Sequence, residues 1–148
     1  MSSRITKAEY ELLAAFRYSL RQFLRFSERA AQTASLTPRQ HQALLAIKGF
    51  PKRERVTIGE LAEQLQIAHH TAVELVDRLA AQKLVQREDG LEDRRQVFVK
   101  LSRAGLAMLE RLSNAHRAEL RRLGPRLVTL LENLVKESER GATRKGKR

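Results

Sequence analysis

Apolar residues near the start of the chain recur with helical spacing: Leu13, Phe16, Leu20 and Phe23 are separated by three, four and three positions. That stripe predicts one long helix over residues 5–34. Arg17, Arg21, Arg25 and Arg29 form a second row at intervals of four, read as a solvated face. Thr37-Pro38-Arg39-Gln40 opens a new helix, with Thr37 as cap, Pro38 at the first helical position and Gln40 completing a capping box. Leu44, Leu45 and Ile47 supply its apolar face, and Gly49 with Pro51 ends it. A charged loop, Lys52-Arg53-Glu54-Arg55, follows. Thr57-Ile58-Gly59-Glu60 is a second capping box, and Ile58, Leu61, Ala62 and Leu65 form the buried side of its helix. The pattern pauses at Gln66-Ile67-Ala68, then resumes as Ala72, Leu75, Val76 and Leu79. Two short helices with a three-residue break describe a helix-turn-helix.

The period then falls from 3.6 to 2. Val97, Val99 and Leu101 alternate with Gln96, Phe98 and Lys100, the mark of a half-buried strand, and Leu84 to Glu88 is its partner. The polar loop Asp89-Gly90-Leu91-Glu92-Asp93-Arg94-Arg95 makes a projecting hairpin tip. Ser102 caps a long helix carrying Leu106, Leu109, Leu112, His116, Leu120 and Leu123. Gly124-Pro125 is expected to break it, leaving Leu127, Leu130, Leu131 and Leu134 on a last short helix. The expected fold is mostly α, an α+β winged helix, with a winged helix-turn-helix core between N- and C-terminal dimerisation helices. The boundaries are 1–36 for the N-terminal dimerisation helix, 37–101 for the core and 102–140 for the C-terminal dimerisation helices. Residues 141–148 are expected to form a disordered basic tail. Stripes of this length cannot all be buried on so small a domain, so a homodimer is expected.

Charge adds a partner to this outline. The 148 residues carry 29 Lys and Arg against 17 Asp and Glu, a formal net charge of +12. Such an excess favours a polyanion, nucleic acid first and an anionic membrane second. The excess is uneven: +3 over residues 1–36, +2 over 37–101 and +7 over 102–148. There is no cysteine, which rules out disulfides, thiol nucleophiles, thiol redox sensing and zinc sites built on thiolates. The longest apolar runs are five residues, as in Leu12 to Phe16, far short of the ~20 that a membrane span needs. No signal-peptide pattern is visible, and a cytoplasmic location is expected.

The segment from Leu36 to Gly105 resembles the MarR family of bacterial transcriptional regulators. The wing signature stands here as Asp93-Arg94-Arg95-Gln96-Val97-Phe98-Val99-Lys100-Leu101-Ser102. The recognition-helix signature stands as Thr71-Ala72-Val73-Glu74-Leu75-Val76-Asp77-Arg78-Leu79, followed by Lys83-Leu84-Val85. The resemblance implies a dimer on double-stranded DNA with a pseudo-palindromic operator, each recognition helix in a major groove and each wing at the adjacent minor groove. Arg95 matches the family's minor-groove arginine, Asp93 matches the carboxylate that orients it, and Arg94 lies between them. A guanidinium suits the negative potential of a narrow minor groove.

The groove-facing surface is less ordinary for that family. Opposite the buried set lie His70, Val73, Glu74 and Asp77, while His69, His70 and Thr71 sit at the helix start where base and phosphate contacts usually arise. Val73 can touch a thymine methyl group and Glu74 can accept from a cytosine amino group. Arg78 is a phosphate contact one turn on, with Thr37, Arg39 and Lys100 as weaker candidates. The family more often places small hydroxyls and a basic residue at 70, 73 and 74. Gln66 stands where a left-handed glycine is common, and Ala68 is a poor cap.

No enzyme motif is present: there is no nucleophile elbow, dinucleotide fingerprint, phosphate-binding loop or zinc-protease pair. No cofactor and no metal are expected; His69 and His70 point about 100° apart on a helix and do not chelate together. Family resemblance implies release from DNA by a small aromatic or anionic effector, for which Phe16, Phe23, His41 and His116 are the candidate lining residues. The leading reading is thus a sequence-specific DNA-binding transcriptional regulator, a repressor released by a small-molecule ligand. The alternatives are a general nucleic-acid-binding protein and a winged-helix protein-interaction module.

Overall fold

The computed structural model describes residues 4–93 and 95–143. Its elements, in chain order, are α1 (Lys7–Thr33), α2 (Pro38–Lys48), β1 (Arg55–Thr57), α3 (Ile58–Leu65), α4 (His69–Ala81), β2 (Val85–Asp89), β3 (Val97–Leu101) and α5 (Arg103–Thr143). They fall into two units, one formed by residues 28–115 and one by the outer segments of α1 and α5.

The inner unit is a winged helix-turn-helix. Both predicted capping boxes form: Thr37 accepts from the Gln40 amide at the head of α2, and Thr57 accepts from the Glu60 amide at the head of α3. The core joins Leu44 and Ile47 of α2, Leu61 of α3 and Leu75, Val76 and Leu79 of α4 to Leu84, Val85 and Val99 of the wing and Leu109 and Leu112 of α5. The three strands are antiparallel in the order β1-β3-β2. Val56 faces Val99 across one pair, and Arg87 faces Val99 across the other.

Three helices of this unit end alike, without glycine. Ser35, Gln66 and Lys83 take left-handed backbones, with φ of 57°, 54° and 60°. In each case the next amide donates five residues back: Leu36 to Ala31, Ile67 to Ala62 and Leu84 to Leu79. This is the Schellman arrangement, in which an apolar residue after the turn docks on the helix it has just left. Leu36 and Leu84 are buried accordingly.

Several expectations need correction. The loop before Thr57 contains β1, a strand too short to show a period. Strand β3 does not alternate cleanly: Phe98 is buried beside Val99. The reason is Arg55 of β1, whose guanidinium lies 4.1 Å from the Phe98 ring centroid and covers what was expected to be a solvent face. Gly124-Pro125 does not break the last helix; α5 runs through both to Thr143. A proline removes one backbone donor, but the apolar positions continue on both sides of it. The first three residues of the expected tail, Gly141 to Thr143, are therefore helical, and the rest of it lies outside the described residues.

In the outer unit, Ser27 and His116 form a hydrogen bond of 2.8 Å, with the rings of Phe23 and Phe26 edge-on to the imidazole. Leu123 is buried, but many apolar side chains of these segments are exposed, among them Leu13, Tyr18, Leu24, Leu120, Val128, Leu131 and Val135.

Candidate nucleic-acid interface

The local sequence of the helix-turn-helix sets how α4 is presented. Ala72, Leu75, Val76 and Leu79 are buried at i, i+3, i+4 and i+7, so the opposite face must point outward. That face carries His70, Val73, Glu74 and Asp77, all exposed. His69 is the first residue of the helix and is exposed, and Thr71 is half-buried. Ala68 makes no side-chain cap on the first amides of α4. A helix start of this kind suits an anionic group. Arg78 is exposed one turn beyond Glu74.

The wing is a β2–β3 hairpin closed by backbone bonds from Gly90 to Gln96 and from Gln96 to Asp93, at 2.8 and 3.0 Å. The Asp93 carboxylate accepts from the backbone N–H of Arg95 at 2.9 Å. It therefore fixes the turn that carries Arg95. The guanidinium of Arg95 extends from an exposed residue. Arg94 lies outside the described residues. Leu91 is 93% exposed at the tip.

Behind the tip, Glu88 receives Lys100 at 2.5 Å and Arg55 at 3.5 Å. The Lys100 hydrogen bond is the main reason that the Glu88 carboxyl lies below its ordinary value; burial opposes it and Arg55 assists it. Lys100, a weaker phosphate candidate, is thus engaged within the sheet. Thr37 is occupied as a cap, while Arg39 is exposed. At the head of α3, burial pushes the Glu60 carboxyl up, but the Thr57 backbone N–H and the Arg53 guanidinium outweigh it and leave the group below its ordinary value.

Two contacts here carry no local signal in the sequence, the Asp77–Arg87 pair and the Ser102–Lys83 bond, whereas the Ser102 cap on α5 is the one expected. Asp77 of α4 is ion-paired with Arg87 of β2, ten residues away and across the turn. Ser102, at the head of α5, donates to the Lys83 carbonyl at 2.6 Å and accepts from the Gly105 amide at 3.0 Å. Gly105 passes so close to the exit of α4 that an added Cβ would lie 2.0 Å from the Leu84 carbonyl oxygen. The recognition helix, the wing and the start of α5 are locked together at that point.

Of the effector candidates, Phe23 and His116 meet in the outer unit. Phe16 is half-buried two turns before Phe23 on the same helix. His41 belongs to the inner unit, where it is buried. Among the described residues there is no group of three potential metal ligands, and no helix is long and apolar enough to cross a membrane.

A buried three-helix core, a tight turn between its last two helices and a β-hairpin behind them define a winged helix-turn-helix protein. Residues 34–96 match the model of the MarR family. It is 29% identical over 110 residues to the organic hydroperoxide resistance transcriptional regulator of Bacillus subtilis, covering 68% of this chain and 73% of that one. Among solved structures it resembles AbsC, a MarR family transcriptional regulator from Streptomyces coelicolor, with a TM-score of 0.72 and 22% identity, covering 95% and 99% of the two chains. A mutant MarR from E. coli, complexed with operator DNA, matches with a TM-score of 0.64 and 23% identity, covering 92% and 99%.

Proposed function

We propose that this chain is a sequence-specific DNA-binding transcriptional regulator, a repressor that binds double-stranded, pseudo-palindromic operator DNA as a homodimer in the cytoplasm. The observation that carries the reading is the pairing, within one rigidly locked unit, of an outward α4 face with an exposed arginine on the wing tip. The first suits a major groove and the second a neighbouring minor groove. In this reading His69, His70, Thr71, Val73, Glu74 and Arg78 of α4 and Asp93, Arg94 and Arg95 of the wing form the DNA surface. The operator complex of E. coli MarR supports the assignment by likeness of fold.

Dimerisation is supported by the apolar side chains exposed along the outer parts of α1 and α5, which a second copy of the same helices would cover. Release of DNA is assigned to a small aromatic or anionic effector. Phe23 and His116, already in contact, are the best-supported lining pair, with Phe16 of the same unit as a further candidate. The chain has no cysteine, so the response is not a thiol-based one. No cofactor and no chemical step are assigned to the protein.

The test is fluorescence anisotropy with the intergenic duplex beside this protein's own gene and a scrambled duplex of equal length, across a salt series. The reading predicts a preference of about a thousandfold or more for the native duplex, and a steep loss of affinity with salt. Equal affinity for both duplexes points to a general nucleic-acid binder. Absence of binding at low salt points to a protein-interaction module.

A further inference from the structure

The face that α4 offers to DNA is acidic where phosphate-rich surroundings favour bases. Glu74 and Asp77 both lie on it, within one helical turn of each other, yet the structure treats them differently. Asp77 is ion-paired with Arg87 of β2. Its charge is compensated and its carboxylate is turned toward the wing. Glu74 is exposed and makes no ion pair among the described residues, although His70 and Arg78 lie one turn to either side. An uncompensated carboxylate carried into a groove lined by phosphates raises the cost of binding any duplex, unless a base supplies a donor. Only two bases present a donor on the major-groove edge. Adenine offers its N6 amino group beside the N7 acceptor, which repels a carboxylate. Cytosine offers its N4 amino group with no acceptor beside it. Val73, the neighbouring exposed residue on α4, adds only an apolar contact.

We propose that Glu74 is the specificity-determining residue of α4, accepting a hydrogen bond from the N4 amino group of one cytosine in each operator half-site, while the Arg87 pair withholds Asp77 from base readout. The inference rests on the reading of α4 as the groove-binding helix. Its effect is selective in two directions: Glu74 rewards one base pair and penalises every duplex that lacks it. That is how a chain with net charge +12 avoids indiscriminate binding through its recognition surface.

The experiment is selection of full-length protein on random-sequence duplexes, repeated with Glu74→Ala, Glu74→Gln and Asp77→Ala. All three substitutions are at exposed positions and leave the core intact. The wild type should enrich a two-fold motif with a C·G pair at one position of each half-site, and replacing that pair should weaken binding about tenfold. Glu74→Ala should erase the preference at that position alone while raising affinity for random DNA. Glu74→Gln should move the preference toward A·T, because an amide pairs with the N6 and N7 edge of adenine. Asp77→Ala should retain the wild-type motif. The proposal is overturned if Glu74→Ala keeps the cytosine preference or raises affinity for every duplex equally, or if Asp77→Ala is the variant that erases it. If the wild type enriches no motif, the DNA-reading assignment of α4 itself fails, and that result is distinct from a motif indifferent to position 74.

Discussion

At the scale of single residues, function and strain sit at different positions and can be tested apart. Arg95 is held by its backbone, through Asp93, and makes no contribution to the core. Arg95→Ala is expected to lower affinity for operator DNA about tenfold and to reduce the salt slope, with the thermal midpoint unchanged; titration and a melt on the same sample check both. Gln66 is the opposite case. It holds the helix-turn-helix with φ 54° and ψ 48°, a conformation that costs a side chain about 1 kcal/mol or more. Gln66→Gly should raise stability by about 0.5–1 kcal/mol in urea, after the larger entropy of unfolded glycine is set against the relief. The sequence showed that Gln66 stood where glycine is common, and it placed Arg95 on a projecting tip. It could not show that Asp93 grips the Arg95 backbone, or that Arg87 claims Asp77, because both depend on where the wing lies in space.

At the scale of elements, helices with a clear stripe and a cap were legible. α2 and α3 begin as their capping boxes imply and α4 as its apolar spacing implies, because those signals are local and act within one or two turns. Strand β1 was not legible, since three residues with one buried side chain, Val56, show no period. Its absence from the sequence reading also hid the burial of Phe98, which depends on Arg55 arriving from that strand. The continuous α5 escaped for a different reason. Gly124 and Pro125 are breakers when judged locally, but the loss of one backbone bond does not outweigh apolar positions that continue on both sides. The wing offers an element-level test through Glu88. Its carboxyl lies below the ordinary value of 4.5, mainly through Lys100 and with help from Arg55. A depressed folded value means that the stabilisation is complete above about 4.5 and is lost as pH falls through the lower, folded value. Glu88→Gln should therefore be less stable than the wild type at neutral pH, and the gap should narrow as the pH falls below about 4.5. Urea midpoints across that pH range measure this.

At the scale of the whole molecule, the proposed function gives the two units separate tasks: the winged unit presents the DNA surface, and the outer segments of α1 and α5 expose apolar helix faces that a second copy would cover. The charge distribution agrees with this division. The core segment, residues 37–101, is only +2, so its affinity for DNA must come from placed contacts more than from bulk attraction. Two copies related by a two-fold axis would present two α4 helices to one side of the duplex. The most direct test is hydroxyl-radical and methylation footprinting of the protein on its own upstream duplex. The account predicts two major-groove protections whose centres lie about one helical turn apart, 10–10.5 base pairs or a multiple, flanked by minor-groove protection that disappears with Arg95→Ala. A single unflanked protection, or uniform protection along the duplex that Arg95→Ala leaves in place, would contradict it.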